Sequence, residues 1–203
     1  MNFLAHIYLS AEDAELKIGN FIADSVKGKK FDRYPKRIAQ GIQLHRQIDH
    51  YTDHHPVVKQ SIQRLRSKYK RYSGVIVDLY YDHFLAANWQ DYSDQPLLSY
   101  THEFYDLLQS YYSILPKRIQ HFMPFMIKNN WLFQYSSIPG ISTILYQMNQ
   151  RTKNKSNMNF AVIELEKDYD LFYKEFQEFF LDLKKFTFNE IIKLDTLPNE
   201  QDQ

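Results

Sequence analysis

Gly41-Ile42-Gln43-Leu44-His45-Arg46-Gln47-Ile48-Asp49-His50-Tyr51-Thr52-Asp53-His54-His55-Pro56 is the stretch whose reading decides the fold. Its apolar residues, with Ile38 before them, sit at helical spacing. They predict a helix that starts at Pro35, turns Ile38, Ile42, Leu44 and Ile48 inward and stops before Pro56, because the residue preceding a proline is driven out of helical geometry. On that helix His45, Asp49 and Asp53 recur at i, i+4 and i+8, one above another and about 5–6 Å apart. One face therefore offers a nitrogen and carboxylates to a common point. Asp78-Leu79-Tyr80-Tyr81-Asp82-His83 repeats the theme, with two carboxylates one turn apart. Two such helices facing each other would form a metal-binding pocket. His54 and His55 are expected at a turn, where a helix C-terminus also favours a protonated histidine.

Outward from this stretch the chain reads as helix after helix. Only five glycines occur in 203 residues, and no alternating β-branched run bounded by turn pairs supports a sheet. The expected fold is all-α, a single helical domain over residues 1–195 with a disordered tail at 196–203. Expected helices are a short one around Phe3, Leu4, Ile7 and Tyr8, one from Ser10 to Asp24, and a basic amphipathic one from Pro56 to Lys70. The most buried runs from Tyr72 to Trp89. Further segments span Pro96–Tyr112, Pro116–Tyr135 with a kink at Pro124, and Pro139–Arg151. A last long helix carries Val162, Leu165, Tyr169, Phe172, Phe176, Phe179, Leu183 and Phe186 as one apolar stripe.

Composition limits the chemistry. There is no cysteine, so any metal rests on nitrogen and oxygen, which suits manganese, magnesium, iron or zinc. No apolar run approaches the roughly 18 residues of a membrane span, and the start lacks a signal-type pattern, so a cytoplasmic protein is expected. The net charge of +1 hides an asymmetry: residues 1–75 carry an excess of seven basic side chains and the remainder an excess of six acidic ones. The basic groups gather at Lys27, Lys29 and Lys30 and again at Arg64, Arg66, Lys70 and Arg71. Such patches are solvated faces or the landing surface of an anionic partner. The acidic second part argues against a broad nucleic-acid surface. Asp24 opposes the dipole of its helix end, and Asp78 and Asp82 fall on an almost wholly apolar helix, where a buried carboxylate needs a partner or a metal. His6 lies on an apolar face, where a packed core histidine is the ordinary occupant.

Asn2-Phe3-Leu4-Ala5-His6, Gly19-Asn20-Phe21-Ile22-Ala23-Asp24, Gly41 to Asp49, Thr52 to Pro56, Asp78 to Ala86, and Trp131-Leu132-Phe133-Gln134-Tyr135 with Gly140-Ile141 together resemble the acyl carrier protein phosphodiesterases of bacteria. The resemblance covers residues 2 to about 151. It implies an α-helical fold distantly related to the HD phosphohydrolases and a manganese-dependent reaction, with magnesium or iron as alternatives. That reaction removes 4′-phosphopantetheine from holo-acyl carrier protein. The adjacent His-Asp pair that names the wider superfamily does not occur; Asp49-His50, Asp53-His54 and Asp82-His83 stand in reversed order. The helix faces and the closer family's motifs favour His6, Asp24, His45, Asp49, Asp78 and Asp82 as metal ligands. Arg46 is expected to hold a phosphate oxygen. His50 or His83 would protonate the leaving serine or, equally, orient the ligands. Lys27, Lys29, Lys30, Arg64, Arg66, Lys70 and Arg71 would meet the acidic carrier. Two other readings use the same residues: hydrolysis of a nucleotide or other small phosphoester, and a non-enzymatic helical adaptor for an acidic protein.

Overall fold

The computed structural model describes residues 1–196, which form eleven α-helices joined by 3-10 turns and loops, with no strand among them. The expected tail lies outside the described residues except for Thr196, which closes the last helix.

Helix α1 (Phe3–Tyr8) is capped by the Asn2 side chain. Helix α2 (Ala14–Ile22) starts later than Ser10, because Asp13 supplies the N-cap by accepting from Leu16 N. It ends at Ile22, so Asp24 stands in the following 3-10 turn, Ala23–Ser25. Helix α3 (Lys36–His54) follows Pro35 and ends where His55 turns extended ahead of Pro56. Pro56 then opens α4 (Pro56–Tyr69), and α5 (Ser73–Ala87) is buried along most of its length.

The second half holds α6 (Leu97–Ser110), α7 (Lys117–Lys128), α8 (Trp131–Gln134) and α9 (Ile138–Arg151). Pro124 sits inside α7 without ending it. The break comes at Asn129–Asn130, where Asn130 takes a left-handed φ of 42° that asparagine tolerates better than most residues. The long C-terminal stripe is likewise divided at Asp168 into α10 (Ala161–Lys167) and α11 (Tyr169–Thr196). The stripe does pack on the body: Phe172, Phe176, Phe179, Phe180 and Leu183 are fully buried. Tyr80 meets Phe172 at 5.2 Å and Phe84 meets Phe176 at 5.8 Å, the centroid spacing of interlocked aromatic rings.

Two contacts set the geometry of the N-terminal half. At the first, α2 and α3 meet backbone to backbone. A Cβ on Gly19 would lie 2.1 Å from Ile38 O and 2.8 Å from Gly41 Cα, and one on Gly41 would lie 2.6 Å from Leu16 O. At the second, Asp82 of α5 is wholly buried and accepts from the backbone N–H of Asn2 at 2.9 Å and Leu4 at 2.8 Å. The carboxylate satisfies donors that the start of a helix leaves free. Burial nevertheless lifts its carboxyl to about 7.

Gly41→Ala should lower stability by about 3 kcal/mol, the upper end for overpacking, because backbone cannot yield as a side chain does. Gly74→Ala, whose Cβ meets only Ile62 Cδ1 at 3.8 Å, should instead gain ~0.5–1 kcal/mol. Denaturant midpoints of the two variants test the contact, and equal behaviour would exclude it. For Asp82, a carboxyl near 7 when folded and about 3.9 when unfolded means that the folded chain binds the extra proton between those values. Its contribution therefore weakens as pH rises through that window, by up to about 1.4 kcal/mol per unit. The stability gap between wild type and Asp82→Asn should narrow from pH 5 to pH 8; a gap that widens would show the ionised carboxylate to be the preferred cap.

Candidate metal centre

Two helices and one turn converge on a single cluster. α1 contributes His6, α3 contributes His45 and Asp49 one turn apart, and the turn after α2 contributes Asp24. His6 Nε2 lies 3.2 Å from Asp49 Oδ1; His45 Nε2 lies 3.1 Å from Asp49 Oδ2 and 3.3 Å from Asp24 Oδ1. The two imidazoles stack with centroids 4.0 Å apart. Both rings are buried, Asp49 is partly exposed, and Asp24 is open to solvent. The ligand atoms of His6, His45 and Asp49 lie close enough together to share one ion.

The donor set fits a divalent cation on two observations. Nε2 of both histidines is buried without a hydrogen-bond partner, although carboxylate oxygens lie nearby. Separations of 3.1–3.3 Å also match ligands around one centre, since bonds of about 2.1 Å place neighbouring ligand atoms roughly 3.0–3.4 Å apart. The protonation pattern agrees. Burial, then the neighbouring His45, lowers His6 to about 4. Burial would also lower His45, but Asp24 and Asp49 outweigh it and hold the ring up at about 9. Burial would raise Asp49, and the two imidazoles overcome it and hold the carboxyl far below its ordinary range. A proton on His45 thus does part of what a bound cation would do.

Asn20, which the sequence reading left without a role, fixes the ring. Its amide nitrogen donates to His6 O at 2.9 Å and to Ser10 Oγ at 3.0 Å, leaving Oδ1 to face His45 Nδ1 at 3.1 Å. Nδ1 therefore carries a proton, and Nε2 faces the cluster, where a bound ion would take the place of the second proton. The residue's place in Gly19-Asn20-Phe21-Ile22-Ala23-Asp24 was the available signal, since a fully buried asparagine four residues before an acid needs partners.

The cluster opens into a cleft of about 230 Å³, whose lining also includes Met1, Asn2, Phe3, Asp53 and Asp78. Asp53 completes the face that begins at His45 and Asp49. Asp78 reaches the cleft, where Oδ1 accepts from the Met1 amino group at 2.8 Å.

Several expected site residues are placed elsewhere. Asp82 lies outside this cleft lining and spends both oxygens on the start of α1. Arg46 gives its Nη2 to Val26 O and Gly28 O and lies over Phe31, so it clasps the loop beyond Asp24 rather than facing the cleft. His50 is exposed and packs on His54, whose Nδ1 lies 2.8 Å from His50 O. His83 is buried between Tyr135 O, 2.7 Å from Nδ1, and the Tyr169 hydroxyl, 3.2 Å from Nε2. Arg64 pairs with the buried Glu175 at 2.5 Å, while Arg71 stacks on Tyr72. Lys27, Lys29, Lys30, Arg66 and Lys70 are exposed.

The profile of the family described as "Acyl carrier protein phosphodiesterase" matches residues 1–183. Relatives of that name include one from Pectobacterium atrosepticum, 30% identical over 181 residues, covering 89% of this chain and 94% of the relative. One from Photorhabdus laumondii is 29% identical and covers 89% and 91%; one from Yersinia pestis is 31% identical over 176 residues and covers 83% and 88%. No solved structure matches, so the likeness to HD phosphohydrolases finds no support there. With the profile spanning every element that builds the cluster, the chain belongs to the acyl carrier protein phosphodiesterase family.

Proposed function

We propose that this protein is a metal-dependent phosphodiesterase that hydrolyses holo-acyl carrier protein to the apo form and 4′-phosphopantetheine, acting in the cytoplasm. The observation that carries the reading is the pair of buried, unpartnered Nε2 atoms of His6 and His45 aimed at Asp49 and Asp24. His6, His45 and Asp49 would hold the ion, with Asp24 joining them from the open side. A hard cation such as manganese lowers the pKa of a water and draws charge from phosphoryl oxygens.

The chain's own residues do the rest. Asn20 keeps His45 in the tautomer that leaves Nε2 free. The cleft, whose lining includes Asp24 and Asp78, would admit the phosphodiester. Water supplies the new oxygen on phosphorus, the bond from phosphorus to the serine oxygen breaks, and a proton ends on the serine hydroxyl of the apo carrier. Asp53 and Asp78 stand in the same cleft without a place in the triad. Asp78 is matched by the Met1 amino group, so it is Asp53 that repels surplus negative charge and favours a phosphodiester, which carries one, over a phosphomonoester, which carries nearly two.

The carrier would approach over Lys27, Lys29 and Lys30, an exposed basic loop that Arg46 ties down directly beyond Asp24. Arg66 and Lys70 add to the basic surface of the same half, whereas Arg64 is withdrawn from it by Glu175.

Stripping the metal should abolish turnover of holo-acyl carrier protein, and manganese should restore it; full activity after stripping would exclude the mechanism. Asp49→Ala should lower kcat by at least about a thousandfold while the helical fold persists, since it removes a ligand shared by two histidines. Asn20→Ala should weaken metal affinity about 10–100-fold, measured by titration of the folded protein. Reversing Lys27, Lys29 and Lys30 to Glu should raise the KM for the carrier and flatten its dependence on ionic strength, because charges at the edge of an interface act mainly on encounter. An unchanged salt dependence would show the loop to be merely solvated.

A further inference from the structure

A groove of about 340 Å³ shares no lining residue with the metal cleft. One of its walls is α11, where Lys184, Thr187, Phe188 and Ile191 recur at i, i+3, i+4 and i+7 and so stand on one face. All four lie beyond residue 183, where the match to the family profile ends. Tyr8 of α1, Tyr92 ahead of α6 and Tyr100 within it bring aromatic rings to the lining. The volume falls within the ~300–1,000 Å³ typical of small-molecule sites.

The polar groups of this groove are unmatched. Thr187 and Tyr100 are only 1% and 6% exposed, and neither hydroxyl makes a hydrogen bond. A hydroxyl withdrawn from water in this way needs a partner in exchange. Lys184 is half-buried, and its ammonium lies over the rings of Tyr92 at 5.2 Å and Phe180 at 5.9 Å. Among the described residues it meets no carboxylate. The acid in the lining, Glu12, is already engaged by Lys17 at 2.8 Å. The groove therefore offers one uncompensated positive charge and two hydroxyl donors without acceptors. Beside them Phe188 is 65% exposed, more than any other large apolar side chain among the described residues, and Ile191 is half-buried. Apolar surface next to a lone cation and hydroxyls complements an amphiphile with a singly charged anionic head. A doubly charged head would leave one charge unmatched and meet repulsion from Glu12.

We propose that this groove binds a medium-chain aliphatic monocarboxylate. Lys184 and the hydroxyls of Thr187 and Tyr100 take the carboxylate, and the chain covers Phe188 and Ile191. The site uses none of the residues of the metal centre, so it stands independently of the phosphodiesterase reading.

Calorimetric titration of the full-length protein at neutral pH with butyrate, hexanoate and octanoate tests the assignment, with octanol as the uncharged control. Binding should saturate at one molecule per chain and tighten along the series, by up to roughly fourfold for each methylene that leaves water. Octanol should bind at least about tenfold more weakly than octanoate, because it lacks the charge-assisted hydrogen bonds. Lys184→Met, which keeps the stem and removes the charge, should weaken octanoate by about the same factor and leave octanol unchanged. Thr187→Val and Tyr100→Phe should each weaken octanoate about fivefold. Neither should lower the denaturant midpoint of the free protein, since each removes a hydroxyl that has no partner in the fold; a lower midpoint would overturn the role given to that hydroxyl. Asp49→Ala should bind octanoate as the wild type does, and a loss there would place the probe in the metal cleft and overturn the proposal. No saturable binding at millimolar octanoate, equal affinity for octanol, or an unchanged affinity in Lys184→Met would also overturn it.

Discussion

The approach of α2 to α3 through Gly19 and Gly41 is the constraint on which the candidate metal cluster depends. With a methyl group on either residue the helices could not keep their present separation, and Asn20 and Asp24 would move away from His45. The contact acts one residue from Asn20 and one helical turn from His45. A small displacement there is felt directly by the 3.1 Å contact that sets the imidazole tautomer. Hydrogen bonds of this kind weaken steeply with distance and angle. Backbone packing, hydrogen bonding and ligand geometry are therefore one linked requirement rather than three.

Carboxylates in this half are compensated in three different ways. Asp82 is held by two backbone N–H groups at the start of α1, and Asp78 by the amino group of Met1. Asp49 and Asp24 face imidazole nitrogens that make no hydrogen bond. Only the last pair faces buried nitrogens that make no hydrogen bond, and an unmatched buried polar group costs about 1–3 kcal/mol. That cost marks the site. The first two arrangements serve instead to pin the segment carrying His6 against α5, which holds α1 in place.

The sequence showed the helical class, the third helix with its ends, and the His45–Asp49–Asp53 face, because these depend on period and on proline geometry within a single segment. It showed less where two segments had to be combined. Asp82 looked like a ligand since an acid on an apolar helix needs compensation, but no pattern along α5 could say that the compensating donors were backbone groups at the start of α1. Arg46 and His83 meet the same limit: residue type announced a capacity to bind phosphate or move a proton, while the partners these side chains hold, at Val26, Gly28, Tyr135 and Tyr169, are remote in sequence. The breaks at Asn130 and Asp168 were hidden by apolar periodicity that continues across them.

Asn2 and Phe3 occupy the position where these requirements meet. Asn2 N–H donates to Asp82 while its side chain caps α1, and the ring of Phe3 packs 5.1 Å from that of Phe21 on α2. The two residues thereby join α5 to α2 around the short α1, and the same two line the polar cleft. A six-residue helix is too short to be stable alone. Its rigidity comes from the buried Asp82 carboxylate at one end and His6 in the cluster further along, so the contacts that hold α1 in place also keep His6 in the candidate metal centre.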